Sequence, residues 1–112
     1  MQLGVGVPKN FSVPRCEARI PMEIGVELSG HRDLPGSEPT FTQNVSSRGA
    51  RVRSTRRWKR NERLKIATPN GSFQSVARVA YCKSGHESGF VVGLEFLAST
   101  GSWIIPDPKD GN

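Results

Sequence analysis

The sequence has few cysteines, few aromatic residues and no long apolar run. Its two cysteines, Cys16 and Cys82, are too few for the disulfide framework of a small secreted domain. The longest apolar stretch, Phe90 to Ala98, contains Glu95 and is far shorter than the roughly 20 residues that a membrane-spanning helix needs. The first ten residues lack the cationic start and the apolar core of a signal peptide. We therefore expect a cytoplasmic protein with free thiols.

Length and turn-forming residues narrow the fold class. The 112 residues fit one compact domain. Twelve glycines and eight prolines together make 20 turn-forming residues, which disfavours a helical bundle. That share, about 18%, stays below the roughly 25 to 30% typical of disordered chains. Hydrophobic residues make up 35% of the sequence, so the core should be small but real.

Positive charge is the most prominent feature of the composition. Sixteen Lys and Arg residues against ten Asp and Glu residues give a net charge of +6, and eleven of the sixteen cations are arginine. A guanidinium group binds phosphate or the O6 and N7 edge of guanine through paired hydrogen bonds. The composition therefore favours an anionic partner, although a solvated basic surface gives the same numbers.

Alternating apolar residues predict a series of short β-strands. In the first, Met22, Ile24, Val26 and Leu28 share one face of an extended segment. A second extended segment runs from Thr40 to Asn44, and the turn signal at residues 69–71 predicts a hairpin. The predicted inner-face residues of the later strands are Ala50 and Val52; Leu64 and Ile66; Phe73, Ala77, Val79 and Tyr81; and Phe90, Val92, Leu94 and Phe96.

These strands predict an all-β fold, a small six-stranded antiparallel β-barrel, because turns recur about every ten residues and no helix is evident before residue 98. Residues 1–13 are predicted to be a flexible N-terminal segment. Residues 14–105 would form the barrel domain, with residues 103–105 as a short C-terminal cap. Residues 106–112 would form a tail in which Pro106 and Pro108 prevent a long helix.

Two motifs are candidates for a ligand site. The first is an Arg-x-x-x-Arg element made by Arg15 and Arg19, and the second is an Asn-x-Ser-x-x-Gly element made by Asn44, Ser46 and Gly49. The arginine pair alone has little value, since the chain holds two other such pairs, Arg53 with Arg57 and Arg56 with Arg60. The second element is rarer, and it follows the first by one predicted hairpin.

The order, spacing and context of these motifs resemble the PilZ-domain family. Further resemblance lies in the segments Gly49-Ala-Arg-Val, Ala77-Arg-Val-Ala-Tyr and Gly93-Leu-Glu-Phe, so that it covers roughly residues 14 to 105. The resemblance implies a six-stranded antiparallel barrel that binds the bacterial second messenger cyclic di-GMP. It implies that the ligand-binding residues are Arg15, Arg19, Asn44, Ser46 and Gly49. Arg48 and Arg78 are candidates for additional contacts.

The resemblance also implies a mode of action. Arg15 and Arg19, on a flexible lead-in, would close over the ligand, and a downstream protein would recognise the changed surface. Pro14 stands where many relatives carry a further arginine, so either one ligand molecule or a stacked pair remains open. The output pathway, the partner protein and the oligomeric state are not predicted by the sequence.

Other interpretations remain open at this point. Arg56 to Arg63, with Trp58 among them, could bind nucleic acid through phosphate contacts and base stacking, or form a solvated or partner-docking surface. The barrel could also be a protein adaptor that needs no ligand. We predict no enzymatic activity, because no catalytic triad, HExxH motif or P-loop is present in the sequence. His31 and His86 lack metal-ligand spacing, so no metal or cofactor is expected.

Overall fold

The structure is a computed structural model that describes residues 19–105. Three sequence predictions concern residues outside this range: the flexible segment 1–13, the position of Arg15, and the tail 106–112. The described residues form β-strands, turns and loops. No helix among residues 19–105 is long and apolar enough to cross a membrane.

Seven strands follow one another along the chain, and their apolar residues alternate as a half-buried sheet requires. Their bounds are β1 Ile20–Pro21, β2 Gly25–Ser29, β3 Glu38–Ser46, β4 Gly49–Ser54, β5 Arg63–Ala67, β6 Phe73–Ser84 and β7 Phe90–Gly101.

Six of these strands close into an antiparallel barrel, which confirms the predicted fold class. The strand order is β3-β2-β5-β6-β7-β4, and β4 pairs back with β3 to complete the ring. Closure leaves the barrel without a free sheet edge. The two-residue strand β1 is an addition that the sequence analysis did not predict: it pairs with β3 beyond the end of β2.

The predicted inner-face residues form one core, with one exception. The fully buried members come from β2, β3, β4, β5, β6 and β7, and Met22, Ile24, Phe90 and Phe96 pack partly buried against them. The first strand is shorter than predicted, because Met22 and Ile24 lie in a break between β1 and β2. There the Thr42 hydroxyl takes the place of a backbone partner: it donates to the carbonyl of Met22 and accepts from the amide of Ile24.

Three β-bulges interrupt the strand pairing, with the extra residues Gln43 in β3, Ala80 in β6 and Leu97 in β7. The first two determine the direction of the side chains discussed below. Opposite β4, Thr42 pairs with Val52 and Asn44 with Arg51, so Gln43 is the extra residue in β3. Opposite β7, Val79 pairs with Leu94 and Tyr81 with Gly93, so Ala80 is the extra residue in β6. Because one extra residue reverses the alternation of faces, Tyr81 points outward. The prediction that Tyr81 shares the inner face with Val79 is therefore wrong.

The basic segment between β4 and β5 is anchored by its tryptophan. Trp58 is only 2% exposed and belongs to the core. Its indole Nε1–H donates to the Ser54 hydroxyl, which in turn donates to the buried carboxylate of Glu38. This arrangement fixes the connection on the barrel and leaves the Trp58 ring unable to stack on a base.

The C-terminal end of β7 leads into the predicted cap. The Trp103 ring lies 4.7 Å from that of Phe73 and 5.0 Å from that of Phe96, measured between centroids. Its indole Nε1–H donates to the carbonyl of Ser46 at 2.8 Å. The short cap is thus confirmed, and it joins the segment that follows β7 to the end of β3.

Gly49 permits the close approach of β4 to β7. A Cβ at this position would overlap the backbone carbonyl oxygen of Leu94, which cannot move without disturbing the sheet. We expect Gly49→Ala to lower the free energy of unfolding by about 1–3 kcal/mol, as overpacking of a core typically does. Urea denaturation followed by circular dichroism measures this change.

Gly25→Ala is the matched control for Gly49→Ala. Gly25 also lies in a strand, and a Cβ there would meet only a Phe41 ring carbon at 3.9 Å, an ordinary van der Waals contact. Its stability should therefore remain within about 0.5 kcal/mol of the parent. Equal stability of the two variants would contradict the close approach at Gly49.

Candidate functional site

The structure brings the two sequence motifs into contact through Arg19 and Asn44. The guanidinium Nη1 of Arg19 donates to Oδ1 of Asn44 at 3.2 Å, across 25 residues of sequence. Arg19 is exposed and Asn44 is half-buried, so both groups remain accessible from outside the barrel. Arg15, the other arginine of the first motif, lies outside the described residues.

The Gln43 bulge positions Asn44. Thr42 and Val45 are 1% and 0% exposed, so both side chains point into the core although they stand three residues apart. Regular alternation cannot bury both, whereas one extra residue between them can. As a result Asn44 faces outward, opposite Arg51 of β4.

Strand β1 positions Arg19. Ile20 pairs with Val45 and Pro21 with Asn44, which places Arg19 beside the outer face of β3. The hydroxyl of Thr42 holds the break that follows, at 2.7 Å from the Met22 carbonyl oxygen and 2.9 Å from the Ile24 amide nitrogen. Sequence reasoning missed this role of Thr42, because a threonine in a predicted strand carries no signal that distinguishes it from any other.

Ser46 and Gly49 flank the turn between β3 and β4 and pair with each other. Ser46 is only 3% exposed, so it presents far less surface than Asn44 does. Gly49 is buried and faces the backbone of β7. The structural requirement for glycine at this position is thus the close packing of β4 against β7.

The two additional candidate arginines lie in different surroundings. Arg48 is exposed in the β3–β4 turn, where its carbonyl accepts a hydrogen bond from the Phe96 amide. Arg78 lies on β6, where its guanidinium donates to the Glu95 carboxylate at 2.9 Å and to Oδ1 of Asn61 at 2.8 Å. These bonds hold Arg78 to its own barrel, whereas Arg19 is bonded to the second motif.

A row of outward residues extends from Asn44 across four neighbouring strands. Asn44 on β3 pairs with Arg51 on β4, Arg51 with Gly93 on β7, and Gly93 with Tyr81 on β6. We call these four residues the outer row. At a strand spacing of about 4.8 Å, it spans about 14 Å. The Nε of Arg51 is buried and has no hydrogen-bond partner within residues 19–105.

Comparison with known families agrees with this geometry. A family model described as the PilZ domain matches residues 14–101, which is most of the chain. The chain therefore belongs to the PilZ domain family, which confirms the resemblance to that family. Domains of this family are generally cyclic di-GMP-binding domains and generally not enzymes. A search of curated proteins found no match to the chain.

The role of Thr42 can be tested by replacing it with valine. Thr42→Val keeps the shape of the side chain but leaves the Met22 carbonyl and the Ile24 amide without their partner. We expect a loss of about 1–3 kcal/mol in the free energy of unfolding, the cost of unsatisfied buried groups. Faster hydrogen exchange at the Ile24 amide should accompany it.

Thr40→Val is the control for this substitution. Thr40 lies in the same strand but is half-buried, and its hydroxyl makes one hydrogen bond, to the Arg53 carbonyl. Its replacement should cost about 1 kcal/mol or less and leave exchange at Ile24 unchanged. Parent-like exchange at Ile24 in Thr42→Val would show that the hydroxyl does not hold the break.

Proposed function

We propose that this protein is a receptor for cyclic di-GMP. The observation that carries the proposal is the hydrogen bond between Arg19 and Asn44, which joins one residue of each family motif on the outer face of the barrel. Membership in the PilZ domain family supports cyclic di-GMP as the ligand. Arg15, Ser46 and Gly49 complete the proposed site as the motifs imply, and Arg48 is a candidate for a further contact.

The chemistry of Arg19 and Asn44 suits a guanine dinucleotide. A guanidinium has five N–H donors, and within residues 19–105 the bond to Asn44 uses one of them. The donors that remain suit a phosphate or the O6 and N7 edge of guanine. Oδ1 of Asn44 accepts from Arg19, which leaves the amide NH2 as a donor to a guanine acceptor. Both residues therefore offer donors to the electronegative groups that cyclic di-GMP presents.

The proposed output is a change of shape. Arg15 belongs to the same motif as Arg19, so a ligand held at Asn44 would draw the segment that carries both arginines against the barrel. This ordering costs conformational entropy, which the charge-assisted contacts must offset. A downstream protein would then recognise the new surface.

Nucleic-acid binding is the alternative that the basic segment suggested. The aromatic ring it relied on, Trp58, is 2% exposed. Arg56 donates to the carbonyls of Pro35 and Gly36, so it serves the loop before β3. These contacts favour a structural role for the segment over base stacking.

Calorimetry with cyclic di-GMP tests the receptor proposal. We expect the parent chain to bind and Arg19→Ala to weaken binding at least about tenfold, because a hydrogen bond from a charged group contributes about 1.5–3 kcal/mol. Arg57→Ala is the matched control: it removes an exposed arginine on the basic segment and should leave the affinity unchanged. Cyclic di-AMP, which lacks the guanine O6 acceptor, should bind more weakly.

The two alternative functions, nucleic-acid binding and a ligand-independent adaptor, predict different results from the same variants. Binding to nucleic acid would fall steeply with salt and would be lost in Arg57→Ala rather than in Arg19→Ala. A ligand-independent adaptor would give no heat with the parent chain. Either result would contradict the receptor proposal.

Hydrogen exchange tests the proposed change of shape. Saturating cyclic di-GMP should slow amide exchange in residues 8–19, since contacts from Arg15 and Arg19 would hold this segment against the barrel. Mass spectrometry of peptic fragments measures the effect, and strand β5, Arg63–Ala67, which belongs to no proposed ligand contact, is an internal reference that should not change. Unaltered exchange in residues 8–19 under saturation would rule this mechanism out.

A further inference from the structure

Tyr81 occupies an unusual position on the outer surface of the barrel. It is half-buried on β6, and the Ala80 bulge turns it outward, opposite Gly93 of β7. Neither family motif includes it. It ends the outer row that begins at Asn44, so it lies on the same surface as the Arg19–Asn44 contact, about 14 Å away along the row.

The tyrosine ring lies flat on the backbone of β7. A Cβ added to Gly93 would overlap Cε2 of Tyr81, with Cζ and Cδ2, the two ring carbons flanking it, at 2.6 and 2.7 Å. Since these flanking carbons are barely farther away than Cε2, the position lies over the ring face and not beyond its edge. The absence of a side chain at Gly93 is what allows the ring to rest there.

With one face against Gly93, the ring turns its other face away from the barrel. Lys83 is exposed, and its Nζ lies 5.3 Å from the ring centroid. Because the inward face rests on Gly93, Lys83 lies over the outward face in a cation–π contact, which a stacked base would have to displace. Aromatic faces of this kind stack nucleobases, while a neighbouring lysine can move aside and pair with a phosphate.

We propose that Tyr81 is a stacking platform for one guanine base of the ligand. The inference rests on the proposed binding of cyclic di-GMP and extends that site along the outer row. Arg19 and Asn44 hold one end of the dinucleotide, and its other base lies on the outward face of Tyr81. The ligand then crosses Arg51, whose buried Nε lacks a hydrogen-bond partner within residues 19–105 and can gain a phosphate acceptor when its guanidinium turns outward.

The affinity test compares three forms of the full chain by calorimetry with cyclic di-GMP. Tyr81→Phe keeps the ring and should bind within about twofold of the parent. Tyr81→Leu keeps an apolar side chain over Gly93 but removes the ring, and should bind about 5- to 150-fold more weakly, the range that corresponds to the loss of one stacked base. Circular dichroism should show the same barrel in all three.

Gly93→Ala tests whether the position of the Tyr81 ring over Gly93 matters, without changing the tyrosine. The three atoms nearest to the added methyl group all belong to the Tyr81 ring, so we expect the ring to leave its position while the strand pairing stays intact. We expect weaker binding, in the same direction as for Tyr81→Leu. Parent-like affinity in both variants would overturn the proposal.

A spectroscopic test does not depend on affinity. Tyr81 is the only tyrosine in the chain, so a tyrosine-labelled sample gives one set of ring signals. Stacking of a purine should shift the ring-proton signals upfield when cyclic di-GMP is added to the parent. Ring signals that stay unchanged at saturation would overturn the stacking.

Failure of this inference is distinguishable from failure of the proposed function. If the parent binds, Arg19→Ala does not, and Tyr81→Leu binds like the parent, only the platform is refuted. If the parent shows no binding at all, the receptor proposal fails and the platform with it.

Discussion

The single extra residue in β3, Gln43, is the constraint on which the candidate site depends. Thr42 and Val45 must both point into the core, and they do so at 1% and 0% exposure. Regular alternation would send one of them into solvent, at a cost set by the apolar surface exposed. The bulge resolves this conflict, and the outward direction of Asn44 follows from it. The orientation of the polar residue is therefore enforced by packing on the opposite side of the sheet.

A β-bulge at Ala80 in β6 has the same effect. There the buried Val79 pairs with Leu94, and the bulge turns the next paired residue, Tyr81, outward over Gly93. Strands β3 and β6 lie on either side of the β4–β7 pair, so the outward residues after their bulges end one row across four strands. Bulges next to functional sites commonly aim a side chain in this way. A barrel wall with two of them presents a polar end and an aromatic end on one surface.

Much of the fold could be predicted from the sequence, because alternation reports burial wherever the strands are regular. Val26 and Leu28, or Leu64 and Ile66, lie in the core as their spacing predicts. Alternation gives the wrong face for Tyr81, because the pattern of apolar residues does not reveal the extra residue of a bulge. Alternation also does not show that the Thr42 hydroxyl bonds to the backbone between β1 and β2. Nor does it show that Trp58 is anchored through Ser54 to the buried Glu38. Those contacts join residues brought together only by closure of the barrel.

The candidate site was predictable to the extent that motifs report chemistry. The meeting of Arg19 with Asn44 agrees with the predicted pair, whereas the position of Arg15 lies outside the described residues. Gly49 shows how a motif residue can have a structural requirement of its own, because its missing side chain makes room for the Leu94 carbonyl. Its substitution would therefore lower stability whether or not it also touches a ligand.

The partner of Arg19 also bears on the proposed binding of an anionic ligand. Arg78 donates to a carboxylate, that of Glu95, which offsets its charge. Arg19 instead donates to the neutral amide of Asn44, so the bond fixes the direction of the guanidinium without cancelling its positive charge. On a chain with a net charge of +6, this leaves an oriented cation at the end of the outer row. In the proposed receptor, the bond to Asn44 therefore orients Arg19 toward a ligand phosphate without neutralising it.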